Sequence, residues 1–353
     1  KIAKRMRPTT MIVSEIVFGI LLTAVAVQLF VFGLGSLGII DPAAGDNLAG
    51  FSSRGPYTGF DILAPNTAAP GVDILAAGAE LTPAQIDLIA SLYAGTAAET
   101  PAVPGEFGAI SGTSMSSPHI AGTAALLKQA RPGWTDAEIL SAIMTTGSWN
   151  LVKEDGVTPA DPFDFGGGRV RVDQAVNAGL LLDETGANFE AANPLLGGDP
   201  ATLNVAGLVS QNCVLECSWT RTVEAPEGGS WTTSTSDPFI TVSPTSFSLA
   251  AGGTQELEIT VDAAALPTDQ WTHGRVNLLP ATGPEQHLTV SFVPTGGEVP
   301  SDLSVTASRD SDSFLVKGLE SVEITDLQVA VSGLVAPTET ALTLDQDLNN
   351  GSP

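Results

Sequence analysis

Basic residues, cysteine and histidine are all scarce in this chain of 353 residues. Only 14 Lys and Arg stand against 39 Asp and Glu, so the formal net charge is −25 at pH 7 and nucleic acid is not expected as a partner. Two cysteines and three scattered histidines do not supply the four ligands of a structural zinc site. Because hydrophobic residues make up 43% and charged residues 15%, we predict a globular, loop-rich protein with room for two domains.

The two cysteines, Cys213 and Cys217, lie close together in the sequence. A local disulfide between them is the favoured interpretation, and it would agree with export from the cytoplasm. Free buried thiols are the alternative.

The N-terminus has a pattern typical of membrane targeting. Four basic residues in the first seven positions precede residues 16–40, a stretch without any charge. A helix that crosses a bilayer needs about 20 residues, and the basic side would keep the N-terminus cytoplasmic, so a membrane anchor with the remainder outside is predicted. A cleaved signal peptide is less favoured because its apolar region usually has about 7–15 residues. A buried core segment, or a mistaken join in a partial sequence, is the third interpretation.

Three regions follow the N-terminal residues 1–40. Residues 41–187 mix short strands with helices, which indicates an α/β fold, and residues 188–296 alternate polar and apolar positions between turns, which indicates an all-β sandwich. Residues 297–353 resemble the start of a further β module or a tail.

The α/β region contains one predicted strand and three predicted helices. The strand covers residues 72–76, and the first helix covers 82–94 with an amphipathic pattern. An apolar helix is predicted over 120–129. The third helix is opened by the capping box that starts at Thr135 and ends at Glu138, and its apolar residues should face inward up to Gly147. In the all-β region, residues 256–261 and 287–293 are the clearest strands.

The chemical signal of the sequence lies around Ser114, just before the helix predicted over 120–129. A nucleophilic serine needs an exposed hydroxyl, a base and donors for the oxyanion that forms on attack at a carbonyl. The first amides of a helix have no internal partners, and the helix dipole favours negative charge there. Gly112 permits a close approach, and Pro118 is tolerated near a helix start. On this physics alone, a serine in such a place is more often an N-cap than a catalytic group.

The segment Gly-Thr-Ser-Met-Ser-Ser-Pro-His-Ile-Ala-Gly at 112–122 closely resembles the active-serine motif of the subtilisin-like serine proteases. Flanking segments at 51–56, 69–77 and 167–175 resemble that family in the same order. The resemblance covers residues 46–295 and implies the later part of a subtilisin-like catalytic domain followed by a fibronectin-type-III-like sandwich. It also implies a serine endopeptidase with protein or peptide substrates, in which Ser114 is the nucleophile.

The resemblance has gaps. Ala64 and Asn66 stand where the longer, multidomain branch of the family commonly has a lysine and an aspartate. No His-Gly-Thr-His segment occurs, and no histidine precedes His119, although the family's aspartate and histidine lie upstream of the serine. His119 belongs to the serine motif and is predicted to pack structurally. Asn47 and Asn66 are poor candidates for the oxyanion asparagine because neither lies in the family's context for it.

Three functions therefore stay open. The leading one is an incomplete piece of an exported serine endopeptidase, secreted or membrane-anchored, that is inactive without its aspartate and histidine. The second is a membrane-anchored pseudoprotease that acts as a binding module, and the third is a structural surface protein. Calcium is common in the family, but no Asp-rich loop identifies a site here and no cofactor is identifiable.

Overall fold

The computed structural model describes residues 45–77, 107–298 and 320–321. The uncharged segment 16–40, the predicted helix 82–94 and most of the tail lie outside these residues. In the described tail, β11 (Gly297–Glu298) pairs antiparallel with β12 (Glu320–Ser321).

The first part of the described chain is a mixed α/β arrangement. Strand β1 (Ile74–Ala77) pairs antiparallel with β2 (Phe107–Ile110), and helix α1 (Thr113–Ala130) follows. The predicted strand is confirmed with a start two residues later. Three further helices follow, namely α2 (Asp136–Thr145), α3 (Pro162–Phe165) and α4 (Val172–Ala175).

Helix α1 starts earlier than the prediction of residues 120–129. Its first residue is Thr113, so Pro118 lies inside the helix rather than at its start. A proline at this position leaves the Ser114 carbonyl without an amide donor four residues on. The run of serines and a proline imitates a cap in the sequence, because these residues are favoured before helices.

Helix α2 is confirmed in its capping and in its buried face. The Glu138 amide donates to Thr135 Oγ1 at 3.1 Å, and the Thr135 amide donates to Glu138 Oε2 at 2.6 Å. Ile139, Ile143 and Met144 are buried. The helix ends at Thr145, and Gly147 has a packing role as well, because a Cβ there would lie 2.5 Å from the Gly167 carbonyl oxygen.

Helix α5 (Gly186–Ala191) and the short 3-10 turns Pro194–Leu196 and Pro200–Thr202 lead into an all-β region of two sheets. The strands are β3 (Gly207–Val214), β4 (Glu216–Ala225), β5 (Gly229–Thr235), β6 (Ile240–Ser243), β7 (Ser246–Leu249), β8 (Gly253–Asp262), β9 (Thr272–Pro280) and β10 (Gln286–Thr295). The strand order is β3-β10-β9-β5-β7 in one sheet and β4-β8-β6 in the other. Neighbouring strands are antiparallel except β3 and β10, which are parallel.

The two sheets share one core. Leu257 and Ile259 of one sheet belong to the same buried cluster as Val276 and Val290 of the other, and all four are fully buried. The strands predicted at 256–261 and 287–293 lie within β8 and β10. The alternation that predicted them places every second side chain in this core.

The turn between β3 and β4 is closed by a disulfide between Cys213 and Cys217. The prediction of a local disulfide is therefore confirmed. Leu215 between them has a positive φ of 58°, a conformation that is uncommon for a leucine.

The α/β part and the all-β part are joined by a common apolar core. Met144 and Phe163 of the first part, with Leu180 and Leu182 of the connecting segment, pack in the cluster that fills the space between the sheets. The Leu181 amide and carbonyl also exchange hydrogen bonds with Glu224 of β4. The two parts therefore meet through packed side chains and backbone pairing.

Candidate active site

Ser114 is the second residue of α1, and its side chain is exposed. The sequence placed it one turn ahead of a helix, whereas in the structure it lies within the first turn. The Met115 amide donates to the Gly112 carbonyl at 2.9 Å. The amides of Thr113 and Ser114 come before the first intrahelical bond and lie at the positive end of the helix dipole. An anion that forms next to Ser114 would be stabilised there.

The segment that contains Ala69 and Gly71 is bound to the start of this helix. The Ser116 hydroxyl donates to the Ala69 carbonyl at 2.9 Å, and the Gly112 amide donates to the Gly71 carbonyl at 2.7 Å. One residue before Gly112, Ser111 Oγ accepts from the Asp73 amide at 2.8 Å. Two of the segments that carried the sequence resemblance are thus in direct contact.

We expect Gly71→Ala to destabilise the fold by about 2 kcal/mol, since overpacking a tight site costs about 1–3 kcal/mol. A Cβ at this position would collide with Ser116 Oγ and lie 2.8 Å from the Gly112 carbonyl oxygen. Urea unfolding followed by tryptophan fluorescence measures the loss. Gly50→Ala is the control because a Cβ there meets no atom within 4 Å. Equal losses in the two variants would contradict the tight contact.

A groove of about 770 Å³ lies beside the start of α1. Its walls come from residues 45–53, from residues 65–72 and from the α1 residues Thr113, Ser116 and Ile120, among others. Asp46 and Arg169 form an ion pair at its edge. The groove adjoins the helix turn that carries Ser114, although Ser114 is not among the lining residues.

None of the three histidines forms a hydrogen bond with Ser114 in the described part of the chain. His119 is exposed on α1, where its Nδ1 lies 2.8 Å from the Met115 carbonyl oxygen. The described residues leave His119 exposed, and its role in structural packing stays a prediction. His273 and His287 lie in β9 and β10, and burial lowers the pKa of both, that of His287 to about 4.

The two asparagines considered as oxyanion donors form no hydrogen bond with Ser114 in the described part of the chain. Asn66 Nδ2 donates to the Leu63 carbonyl at 3.2 Å, and Asn47 pairs with Val152 through a backbone bridge. Ala64, the other departure from the family pattern, is half-buried in the same segment as Asn66. Neither asparagine is therefore placed as an oxyanion donor, and the amides at the start of α1 are the donors that the described residues offer.

An ion cluster around one buried carboxylate, which the sequence did not single out, lies next to the groove. Asp164 is 2% exposed and pairs with Arg54 Nε at 3.1 Å and with Lys153 Nζ at 3.1 Å. Arg54 also pairs with Glu154, and this hydrogen bond raises the pKa of Arg54. The bond to Asp164 likewise raises the pKa of Lys153. The only sequence signal was the position of Arg54 within the segment 51–56 that resembles the family.

The described residues contain no group of three or more histidine, cysteine or acidic side chains that could hold a metal ion. Within the same ranges, no helix combines the length and the apolar character needed to cross a membrane.

Residues 10–168 match the model of the subtilase family, and this match includes the segment 16–40. Subtilisin-like protease SBT1.6 of Arabidopsis thaliana is 36% identical over 173 residues, which cover 47% of this chain and 21% of that protein. Subtilisin-like protease SBT1.7 of the same plant is 43% identical over 150 residues, which cover 40% and 18%. Residues 10–168 are thus similar to the subtilase family, and the chain spans about a fifth of the length of the curated relatives it matches.

Solved structures match a smaller part of the chain. A GH5 xyloglucanase of Bacteroides ovatus covers 29% of this chain and 21% of its own, at 20% identity and a TM-score of 0.22. A likeness at this level carries no argument about fold or function.

Proposed function

We propose that this chain is part of a serine endopeptidase in which Ser114 is the nucleophile. The observation that carries the proposal is the place of Ser114 in the first turn of α1, within a segment that matches the subtilase family. Its substrates would be proteins or peptides. The groove adjoins the helix turn that carries Ser114 and would let a substrate approach that turn.

In the proposed reaction, Ser114 Oγ attacks the carbonyl carbon of a peptide bond and loses its proton to a base. The C–N bond then breaks, and the base returns the proton to the leaving amine. Water hydrolyses the acyl-enzyme in the second half and restores the serine. The amides of the first turn of α1 would stabilise the negative oxygen in both halves.

All three histidines of this chain lie in described residues and none forms a hydrogen bond with Ser114, so the base would come from residues outside this chain. We therefore expect this chain to be inactive by itself. A membrane-anchored pseudoprotease that serves as a binding module is the second candidate. It is supported by the contacts of the three histidines in the described residues, none of which involves Ser114.

Two further features belong to this proposal. The two-sheet region would be a fibronectin-type-III-like domain, supported by its paired sheets and shared core. The Cys213–Cys217 disulfide supports a location outside the cytoplasm, because such bonds persist in oxidising compartments. A secreted protein and a membrane-anchored one are both compatible with it.

The test is covalent labelling with a fluorophosphonate probe, followed by peptide mapping. We expect the label on Ser114 in the longest protein that the coding sequence encodes, and no label on the present chain under the same conditions. If the longest protein folds and stays unlabelled at Ser114, the endopeptidase proposal fails and the pseudoprotease is favoured. Rapid labelling of the present chain would contradict the need for further residues.

A further inference from the structure

We infer that Gln286 and His287, at the start of β10, are positioning residues for the helix turn that carries Ser114. The inference rests on the proposed function, because it assigns the two-sheet region a part in holding the nucleophile. Both residues lie in the all-β part, and both are buried against the α/β part.

Gln286 connects β10 to two segments of the α/β part through a complete set of hydrogen bonds. Its Oε1 accepts from the amides of Gly179 and Leu180 at 2.9 and 2.8 Å. Its Nε2 donates to the Leu180 carbonyl at 2.7 Å and to Thr145 Oγ1, at the end of α2, at 2.8 Å. Both N–H groups of this buried amide donate, and its oxygen accepts two hydrogen bonds. Such a side chain holds its partners in one geometry, because the loss of any of these bonds leaves a buried polar group unpaired.

His287 reaches the glycine loop 166–168 directly. Its Nε2 lies 2.7 Å from the Gly167 carbonyl oxygen and 2.8 Å from Trp149 Nε1. A single ring nitrogen either donates or accepts, so it can satisfy only one of these partners at a time. Thr289, next on the same face of β10, lies 3.5 Å from the Gly166 carbonyl oxygen. This face of the strand is therefore a contact surface for the loop.

The glycine loop in turn holds the segment that leads to α1. The Gly167 amide donates to the Asn66 carbonyl at 2.9 Å. The Gly168 carbonyl accepts from Thr67 Oγ1 at 2.8 Å and from the Ala68 amide at 3.1 Å. One residue further, Ala69 accepts from Ser116 of α1. In the tautomer in which His287 Nε2 donates to the Gly167 carbonyl, a series of hydrogen bonds thus runs from β10 to the first turns of α1.

The segments of this series are packed so closely that several of its glycines have no room for a side chain. A Cβ on Gly166 would collide with the Asn66 carbonyl, and one on Gly167 would lie 2.8 Å from the Met144 Cα at the end of α2. A Cβ on Gly71 would likewise collide with Ser116 of α1. Since interiors this dense deform little, a shift of the loop is passed on to the helix start.

Hydrogen exchange on the present chain tests the positioning without requiring activity. The amides to follow are those of Gly167, Ala68 and Gly112, each of which donates to a neighbouring segment in the series. We expect Gln286→Leu and His287→Phe to accelerate exchange at Ala68 and Gly112 by about tenfold. The control is Val290→Ala, which opens a cavity in the same strand without touching the series. All variants are compared at temperatures equally far below their own Tm.

An acceleration confined to the two positioning variants supports the inference. The inference would be overturned if the Gly112 amide of those variants exchanged at the wild-type rate. It would also be overturned if Val290→Ala accelerated the exchange equally. In the longest protein, the same two variants should lower kcat by about tenfold with KM unchanged, because a displaced nucleophile affects the chemical step. Absence of the fluorophosphonate label on wild-type Ser114 would instead refute the proposed function and leave the exchange result standing.

Discussion

Replacing Ser114 with alanine is expected to lower the turnover of the longest encoded protein by about 10⁶-fold. In a subtilisin, the loss of the serine or the histidine alone costs about 2 × 10⁶ in kcat, because the members of the triad act as a unit. The helix amides of α1 and the substrate contacts remain in the variant, and they account for the residual rate over water. Steady-state hydrolysis of a fluorogenic peptide measures the difference.

The matched control is Ser218→Ala, which replaces an exposed serine on β4 in the all-β part. It should keep wild-type turnover and wild-type stability. Because Ser114 is exposed and its removal creates no cavity, Ser114→Ala should unfold at the same urea concentration as the wild type. Undiminished hydrolysis by Ser114→Ala would assign the activity, if any, to another residue.

Acid is expected to destabilise the present chain by about 3 kcal/mol through His287 alone. Burial lowers the pKa of this histidine from 6.5 to about 4, and the guanidinium of Arg275 adds to the effect. The folded state therefore prefers the neutral ring, while the unfolded state binds a proton from about pH 6.5 downwards. The stabilising contribution is complete above pH 6.5, is lost as the pH falls towards 4, and changes little below that value.

The measurement is the free energy of unfolding in urea between pH 7.5 and pH 4, for the wild type and for His287→Gln. The variant should lose about 3 kcal/mol less than the wild type over this range, because glutamine does not titrate. His273→Gln is the comparison, since burial lowers the pKa of His273 too and that residue bonds to Ser291 rather than to the loop. Parallel curves for wild type and His287→Gln would contradict a neutral buried His287.

Local features of the structure were predictable from the sequence. The capping box of Thr135 and Glu138, the strands within β8 and β10, and the Cys213–Cys217 disulfide all depend on residues a few positions apart. Their signals are therefore complete within short windows. The start of α1 was missed because capping preferences and a proline imitate a boundary, whereas the contacts of Ser116 and Gly112 with residues 69–71 hold the chain helical from Thr113.

The exposure of His119 and the burial of Gln286 and His287 could not be predicted by the same means. Alternation along β10 separates an apolar face from a polar one, and a polar face ordinarily meets solvent. Here the polar face, with His287 and Thr289, meets the glycine loop of the α/β part, so His287 is buried. Gln286 lies on the opposite face, next to Leu288, and is buried because Thr145 and Leu180 pack over it. Whether such a surface is buried depends on which element packs against it, and that element lies more than a hundred residues away in the chain. The periodicity of a strand does not identify that element.

The sequence by itself determined the similarity to the subtilase family, through an eleven-residue motif and its flanking segments, and it singled out Ser114 as the candidate nucleophile. The tertiary structure alone decided what surrounds that serine: exposed helix amides, a neighbouring groove, no described base within reach, and a support that begins in β10. The reason is physical. Motifs are read from chemistry that is local in the chain, whereas pKa values, burial and positioning arise from contacts between distant segments.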